Sequence, residues 1–241
     1  MGVQRFELKY LVTEQTALTA REFVCAHLVL DEHCAGQPAH SYTVHDLYLD
    51  TDERRLYEAL DREKRERCQL RLRHYDTDAE SPVYFELKRE HANCVFKQRG
   101  GVHREFVSEL LGGCPPELNH LVAETPREFA ALRNFCQLAQ QEHAKPCLSV
   151  DYRREAYWNG DAKNQLRLTF DRDVHAQLNR GDISYVNSNG SSVCYGGAVV
   201  LELKFTSRFP DWFRELIKAY GLVQYDTYKY VEAVQELGLR P

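Results

Sequence analysis

Apolar and polar residues alternate along much of this chain with a period of two, as in strands that bury one face. The alternation predicts strands over 3–12, 42–50, 67–75, 82–90, 94–99, 102–107, 147–157, 165–174 and 198–206. Helical spacing replaces it at 14–28 and at 52–60, the second entered through Thr51-Asp52. Thr125-Pro126-Arg127-Glu128 has the form of a capping box with proline at the first helical position, opening a helix that runs to residue 142. Further helices are predicted at 210–220, from Pro210 to Gly221, and at 227–237. Polar stretches at 76–82 and 179–197 read as hairpin loops, the second through Asn179-Arg180-Gly181-Asp182 and Asn189-Gly190. No linker or low-complexity tract interrupts the pattern, so residues 1–241 are expected to form a single domain. Nine strands at hairpin-like spacing predict an antiparallel sheet, and so many strands twist and tend to close. The expected fold class is α+β, with a barrel at its centre.

The polar half of this alternation is ionic. Phe6-Glu7-Leu8-Lys9, Phe85-Glu86-Leu87-Lys88 and Leu201-Glu202-Leu203-Lys204 each set Glu and Lys on the strand face opposite an apolar pair. Leu70-Arg71-Leu72-Arg73 and Leu166-Arg167-Leu168-Thr169-Phe170-Asp171 do the same with other charges, while Val150, Tyr152 and Arg154 share one side of their strand. Two readings account for this. A sheet with one wet face shows the same alternation, with Lys and Glu as ordinary solvent residues. If the strands close instead, helices outside cover the apolar face and the charges line a lumen. That lumen would hold Lys9, Arg71, Arg73, Lys88, Arg154, Arg167 and Lys204 against Glu7, Glu86, Glu202 and Asp171. So many buried like charges are unfavourable without partners, so a lumen of this kind calls for a polyanion. Phosphate chains suit it, because their oxygens accept from Arg forks and Lys ammonium groups. The carboxylates would hold Mg²⁺ or Mn²⁺, which favour oxygen ligands shared with phosphates.

Composition narrows the alternatives. A net charge of -5 argues against a general nucleic-acid coat, and no nucleic-acid partner is expected. No apolar run reaches the ~18 residues a spanning helix needs, and the start, Arg5-Phe6-Glu7-Leu8-Lys9, carries no signal-peptide core. The 8 cysteines are widely spaced without a Cys-x-x-Cys, which favours buried thiols in a reducing cytoplasm over disulfides or zinc. No phosphate-binding P-loop, His-Glu-x-x-His or Gly-x-Ser-x-Gly occurs, and Gly100-Gly101, Gly112-Gly113 and Gly196-Gly197 are expected in turns.

The charged strands fall among further fragments: Tyr48-Leu49-Asp50-Thr51, Val95-Phe96-Lys97-Gln98-Arg99, Tyr152-Arg153-Arg154 and Tyr228-Lys229-Tyr230. In this order they resemble the polyphosphate polymerase (VTC) domain family, within the triphosphate tunnel metalloenzyme (CYTH-like) superfamily. The resemblance covers nearly the whole chain. It implies a closed, eight-stranded antiparallel β-barrel with helices packed outside, binding ATP and transferring its γ-phosphate to a growing polyphosphate chain. Carried over, Lys9, Arg71, Arg73, Lys88 and Arg167 would act on the reacting phosphates. Lys97, Arg99, Arg154, Lys204 and Lys229 would bind the substrate's phosphates, and Tyr152 would stack on the nucleobase. Glu202 would be the principal Mn²⁺ or Mg²⁺ carboxylate, with Glu7 and Glu86 beside it. Tunnel phosphatases and cyclases begin with Glu-x-Glu-x-Lys, whereas Arg5 stands at the first position here, which favours the polymerase. The alternatives are an inorganic or nucleoside triphosphatase of the same fold, using Glu7 or Glu86 to activate water, and a non-catalytic polyphosphate- or nucleotide-binding module. The phosphate-sensing domain and membrane helices of eukaryotic relatives have no counterpart in the sequence, so no translocation of product is expected.

Overall fold

The computed structural model describes residues 6–62, 64, 66–91, 94–161, 163–179, 181, 190–225 and 228–241. Arg5, the start of the strand predicted from residue 3, and residues 180 and 182–189 of the predicted 179–197 loop lie outside the described residues. In chain order the elements are β1 (Phe6–Val12), α1 (Glu14–Cys25), β2 (Val29–Leu30), α2 (Glu32–Ala35), β3 (Tyr42–Asp50), α3 (Arg55–Asp61), β4 (Glu66–His74), β5 (Val83–His91), β6 (Cys94–Val102), α4 (Val107–Leu111), α5 (Pro126–Gln141), β7 (Lys145–Trp158), β8 (Arg167–Leu178), β9 (Ser192–Val193), β10 (Val199–Phe205), α6 (Asp211–Tyr220) and α7 (Lys229–Glu236).

The hydrogen-bonded strand order is β1-β10-β8-β7-β3-β4-β5-β6, with the short β2 on β7 and β9 on β8. The fold is therefore α+β around a large antiparallel sheet. Among the described residues the ladder is a path ending at β1 and β6. The chain divides into two compact units: Met1–Thr43, Tyr152–Val174 and Val193–Tyr228 form the first, and Val44–Asp151, His175–Ser192 and Lys229–Pro241 the second.

In the first unit, Tyr10, Val12, Leu168, Phe170, Leu201 and Leu203 bury one strand face against α1 and α6. Ala17 and Ala20, both fully buried, let α1 lie close to that face. Thr13 starts α1 by accepting a hydrogen bond from the Thr16 amide at 3.1 Å. Gly221, at φ +58°, ends α6 in the left-handed conformation that glycine adopts without strain. In the second unit, Leu47, Leu49, Leu70, Leu72, Phe85 and Leu87 pack with Leu110 of α4 and Leu132 and Phe135 of α5. Thr125 caps α5 as its sequence predicts, its hydroxyl accepting from the Glu128 amide at 3.2 Å. In both units helices cover the leucine faces, and the charges occupy the opposite side of the same strands.

Two predicted elements are corrected. Residues 94–99 and 102–107 are not two strands: β6 runs unbroken to Val102, and a 3-10 turn over Arg104–Phe106 leads into α4. Val107 and Leu110, three apart, are both buried, a helical spacing that the short strand prediction overlooked. Gly100-Gly101 consequently lies within a strand rather than a turn. A Cβ on Gly100 would sit 3.0 Å from the Glu128 carbonyl oxygen, and one on Gly101 3.2 Å from the Tyr84 ring. Both glycines admit a close neighbour.

A buried carboxylate ties the second unit together. Asp50 accepts from the amides of Thr51, Leu56 and Tyr57 at 2.7, 2.9 and 2.9 Å, and from the Tyr230 hydroxyl at 2.6 Å. It thus supplies the N-terminal cap that Arg54, in a left-handed conformation at φ +59°, does not give α3. Asp50→Ala leaves these donors buried and should lower stability by about 3 kcal/mol. A fall in the urea midpoint at unchanged m-value would register it.

Candidate functional site

The charged face of the second unit is built by register. β3 sets Asp46 opposite Arg73 and Tyr48 opposite Arg71; β5 sets Glu86 between Arg71 on β4 and Arg99 on β6. Arg73 grips Asp46 with two parallel bonds, Nε to Oδ1 and Nη2 to Oδ2, each 2.7 Å. Arg71 bridges the two carboxylates, donating from Nη1 to Asp46 Oδ2 at 3.3 Å and from Nε to Glu86 Oε2 at 3.2 Å, with Nη2 also on Glu86. Lys97 Nζ donates to Glu86 Oε1 at 2.8 Å, and Arg99 Nε lies 3.5 Å from that oxygen. Four cations therefore surround two buried carboxylates, while the Lys97 and Arg99 side chains stay 45% and 37% exposed. Lys88, opposite Lys97, pairs with Glu90 at 2.9 Å.

The electrostatics follow from this crowding. Burial alone would raise the Asp46 and Glu86 carboxyls, but the adjacent cations outweigh it. Arg71 and Arg73 hold Asp46 below the usual carboxylate range, and Arg71, Lys97 and Arg73 hold Glu86 well below it. The Lys97 ammonium is partly stripped of water and faces Arg71 and Arg73. Against the pull of Glu86, its pKa falls to about 7.

The first unit carries a second charged face. β1 and β10 place Glu7 opposite Lys204 and Lys9 opposite Glu202. Lys204 Nζ is 2.9 Å from Glu202 Oε2 and 3.9 Å from Glu7 Oε2. Lys9 Nζ is 3.6 Å from Glu7 Oε1 and 4.8 Å from the centre of the Tyr228 ring. Arg154 forks onto the fully buried Asp171 with two bonds of 2.7 Å, its Nη2 4.0 Å from Glu202 Oε2. Tyr152 is 2% exposed, with the Arg154 guanidinium 5.2 Å from its ring centre. Arg167 turns to Asp31, donating from Nη1 at 2.6 Å, and to the Tyr42 hydroxyl at 3.3 Å. Lys229 opens α7 in the second unit.

The first-unit face suits a hard divalent cation. Glu202 is 4% exposed and stands opposite Thr169, whose buried hydroxyl oxygen makes no hydrogen bond. A carboxylate with a spare oxygen beside it is the partial ligand set that Mg²⁺ or Mn²⁺ completes with waters and phosphate oxygens. Glu86, drawn on by Arg71, Lys97 and Arg99, is less suited to hold a metal.

The family model of the VTC domain matches residues 4–237. The chain belongs to the VTC domain family. Among solved structures, it is similar to a putative adenylate cyclase from Bacillus halodurans, at 16% identity over 96% of each chain with a TM-score of 0.50. It is also similar to a putative adenylate cyclase from Vibrio parahaemolyticus, at 12% identity over 96% of this chain and 98% of that one, with a TM-score of 0.44. The first likeness is one of fold. No curated protein sequence matches significantly.

The charged faces of this VTC domain include residues to which the sequence reading gave no site role. Asp46 and Tyr48 alternate with Leu47 and Leu49 on β3, so the periodicity that singled out Arg71 and Arg73 reaches them too. Thr169 lies between Arg167 and Asp171 by the same rule. Asp31, the partner of Arg167, precedes α2 and accepts from the His33 amide at 3.0 Å; no period-2 signal marks it. No helix among the described residues of the VTC domain is long and apolar enough to cross a membrane.

Proposed function

We propose that this VTC domain transfers the γ-phosphoryl group of ATP to a growing polyphosphate chain, with Mn²⁺ or Mg²⁺ as cofactor. The observation that carries the reading is the gathering of Arg71, Arg73, Lys97 and Arg99 around only two carboxylates on one strand face. A polyanion supplies the charge that face lacks. In the second unit Arg71 and Arg73 would neutralise charge on the transferring phosphoryl group, with Lys88, Lys97, Arg99 and Lys229 on neighbouring phosphates. In the first unit Lys9, Arg154, Arg167 and Lys204 would bind phosphates, and Glu202, with Glu7 near, would hold the metal. When bound, that ion would neutralise phosphate oxygens and fix their geometry. Closure of the eight strands into a tunnel, the action of residues 1–241 as one domain and a reducing, cytoplasmic setting belong to the same proposal.

Phosphoryl transfer asks the protein chiefly for positioning and charge neutralisation. The attacking oxygen of a polyphosphate end is already anionic, so no general base is needed. A triphosphatase would have to activate water, and Glu86, held well below the usual carboxylate range, is a weak base for that task.

Incubation with ATP and Mn²⁺ or Mg²⁺ tests the proposal, with chain lengths resolved on a gel and ADP and orthophosphate assayed separately. Long chains with ADP support the polymerase. Orthophosphate without chains replaces it with a triphosphatase, and binding without turnover replaces it with a binding module.

Lys97 gives a pH signature. Its free pKa is about 7, and a phosphate beside it favours the charged form. Between the free and bound values the complex therefore holds more protons than the free protein, so affinity should fall as pH rises above 7. Titration calorimetry with tripolyphosphate at about pH 8, in buffers of different ionisation enthalpy, should show proton uptake that Lys97→Gln diminishes.

A further inference from the structure

Arg167 opens β8 on the charged face of the first unit, directly opposite Lys204 of β10. Like charges facing each other across a ladder repel, so a guanidinium on that rung needs an anion to stay there. The anion comes from outside the ladder. Asp31, between β2 and α2, accepts from Arg167 Nη1 at 2.6 Å, and the Tyr42 hydroxyl, at the start of β3, accepts from Nη2 at 3.3 Å. Asp31 is itself fixed by backbone. Its amide donates to the Ala156 carbonyl at 2.9 Å, and β2 before it pairs Val29 with Trp158 and Leu30 with Tyr157. Its other carboxylate oxygen caps α2, accepting from the His33 amide at 3.0 Å. The contact with Arg167 differs in kind from the other arginine pairs. Arg154 and Arg73 are buried and lie in parallel two-bond forks with Asp171 and Asp46. Arg167 gives Asp31 one bond and Tyr42 another, from the five N–H donors a guanidinium carries. Its remaining donors have no partner among the described residues, on a side chain 36% exposed.

We propose that Asp31 and Tyr42 are positioning residues, which hold Arg167 beside Lys204 so that both cations meet the same anionic group of a phosphate chain. The inference rests on the phosphate-binding reading of Arg167 and adds what makes that arginine competent. An unheld arginine at the first residue of a strand retreats from Lys204 and must be ordered again when the ligand arrives. One already held by a buried carboxylate avoids both costs and still offers its open donors. Charge alone predicts the opposite sign: a carboxylate beside a phosphate site repels the ligand, and removing it strengthens binding. The sign of the change on removing Asp31 therefore separates positioning from mere neutralisation of a surplus cation.

The test is titration calorimetry of the full chain with inorganic tripolyphosphate in chelator, for wild type, Asp31→Asn, Arg167→Met and the double variant. Asparagine has one oxygen where aspartate has two. Kept on the His33 amide, it turns an NH₂ group toward Arg167, so the cap survives and the guanidinium is released. Asp31→Asn should weaken binding about tenfold. Both single variants and the double one should converge within about threefold of one another, because the carboxylate acts only through the arginine. Tyr42→Phe should give a smaller loss that disappears in the Arg167→Met background, and it carries the test if Asp31→Asn does not fold. If Arg167→Met alone does not fold, with Asp31 left unpaired, the match between Asp31→Asn and the double variant decides. Unchanged or tighter binding in Asp31→Asn overturns the positioning role, as does a further loss when Asp31→Asn is added to Arg167→Met, the mark of structural damage. Arg167→Met that binds like wild type overturns instead the phosphate reading of that arginine, and wild-type protein that binds no tripolyphosphate overturns the reading of the whole face.

Discussion

Arg154→Met should lower the unfolding free energy by about 3–5 kcal/mol, the largest loss of stability expected from one substitution on the charged faces. Asp171 is 0% exposed and receives both bonds of the Arg154 fork. Methionine preserves much of the stem's packing but leaves a buried carboxylate without its guanidinium. Breaking such a pair costs far more than replacing it whole, because the penalty comes from the stranded charge. The double variant Arg154→Met/Asp171→Leu should therefore recover most of the lost stability. Urea denaturation of the two single variants and the double one measures the coupling directly. A single variant within about 1 kcal/mol of wild type would show that the fork contributes little. The recovered double variant has a second use: a stable fold with weakened tripolyphosphate binding would separate the proposed phosphate role of Arg154 from its structural one.

The same contrast shows what the sequence discloses and what it withholds. Period-2 alternation identifies β3 to the residue and β4, β5, β7 and β10 within two residues at each end, because each has a leucine face that must be buried. It also sorts Arg71, Arg73, Glu86, Glu202 and Lys204 onto the opposite face, where the structure places them. Alternation carries no information on which carboxylate each cation takes. Asp46 receives Arg73 and Arg71 because β3 pairs with β4 in one register, and that register is set by side chains distant in sequence. Arg167 illustrates the limit. Its strand position is correct, yet its guanidinium goes to Asp31, in a segment of short elements with no periodic signal. Gly100-Gly101 shows the opposite error: glycine pairs suggest turns, and only the three-dimensional neighbours Glu128 and Tyr84 explain two glycines inside a strand.

Glu202→Gln should reduce metal-dependent turnover at least about 100-fold, since the amide retains the shape of the side chain but loses the charge a hard cation needs. Glu202 is 4% exposed, 2.9 Å from the Lys204 ammonium and 4.0 Å from Arg154, so glutamine removes an anion from a cationic neighbourhood. Two consequences separate in sign. Metal affinity should fall, while tripolyphosphate binding without metal should hold or strengthen, because one carboxylate no longer competes for Lys204. A generally damaged fold would lose both. The measurement is a pair: chain synthesis and ADP release across a Mn²⁺ titration, and tripolyphosphate affinity in chelator. Full turnover in the variant would remove Glu202 from the metal site and transfer the role to Glu7, the other carboxylate near Lys204. Turnover lost together with metal-free phosphate binding would point to structural damage instead. Turnover lost with phosphate binding retained would make Glu202 the point where the cationic face is converted from a phosphate binder into a metal-dependent transferase.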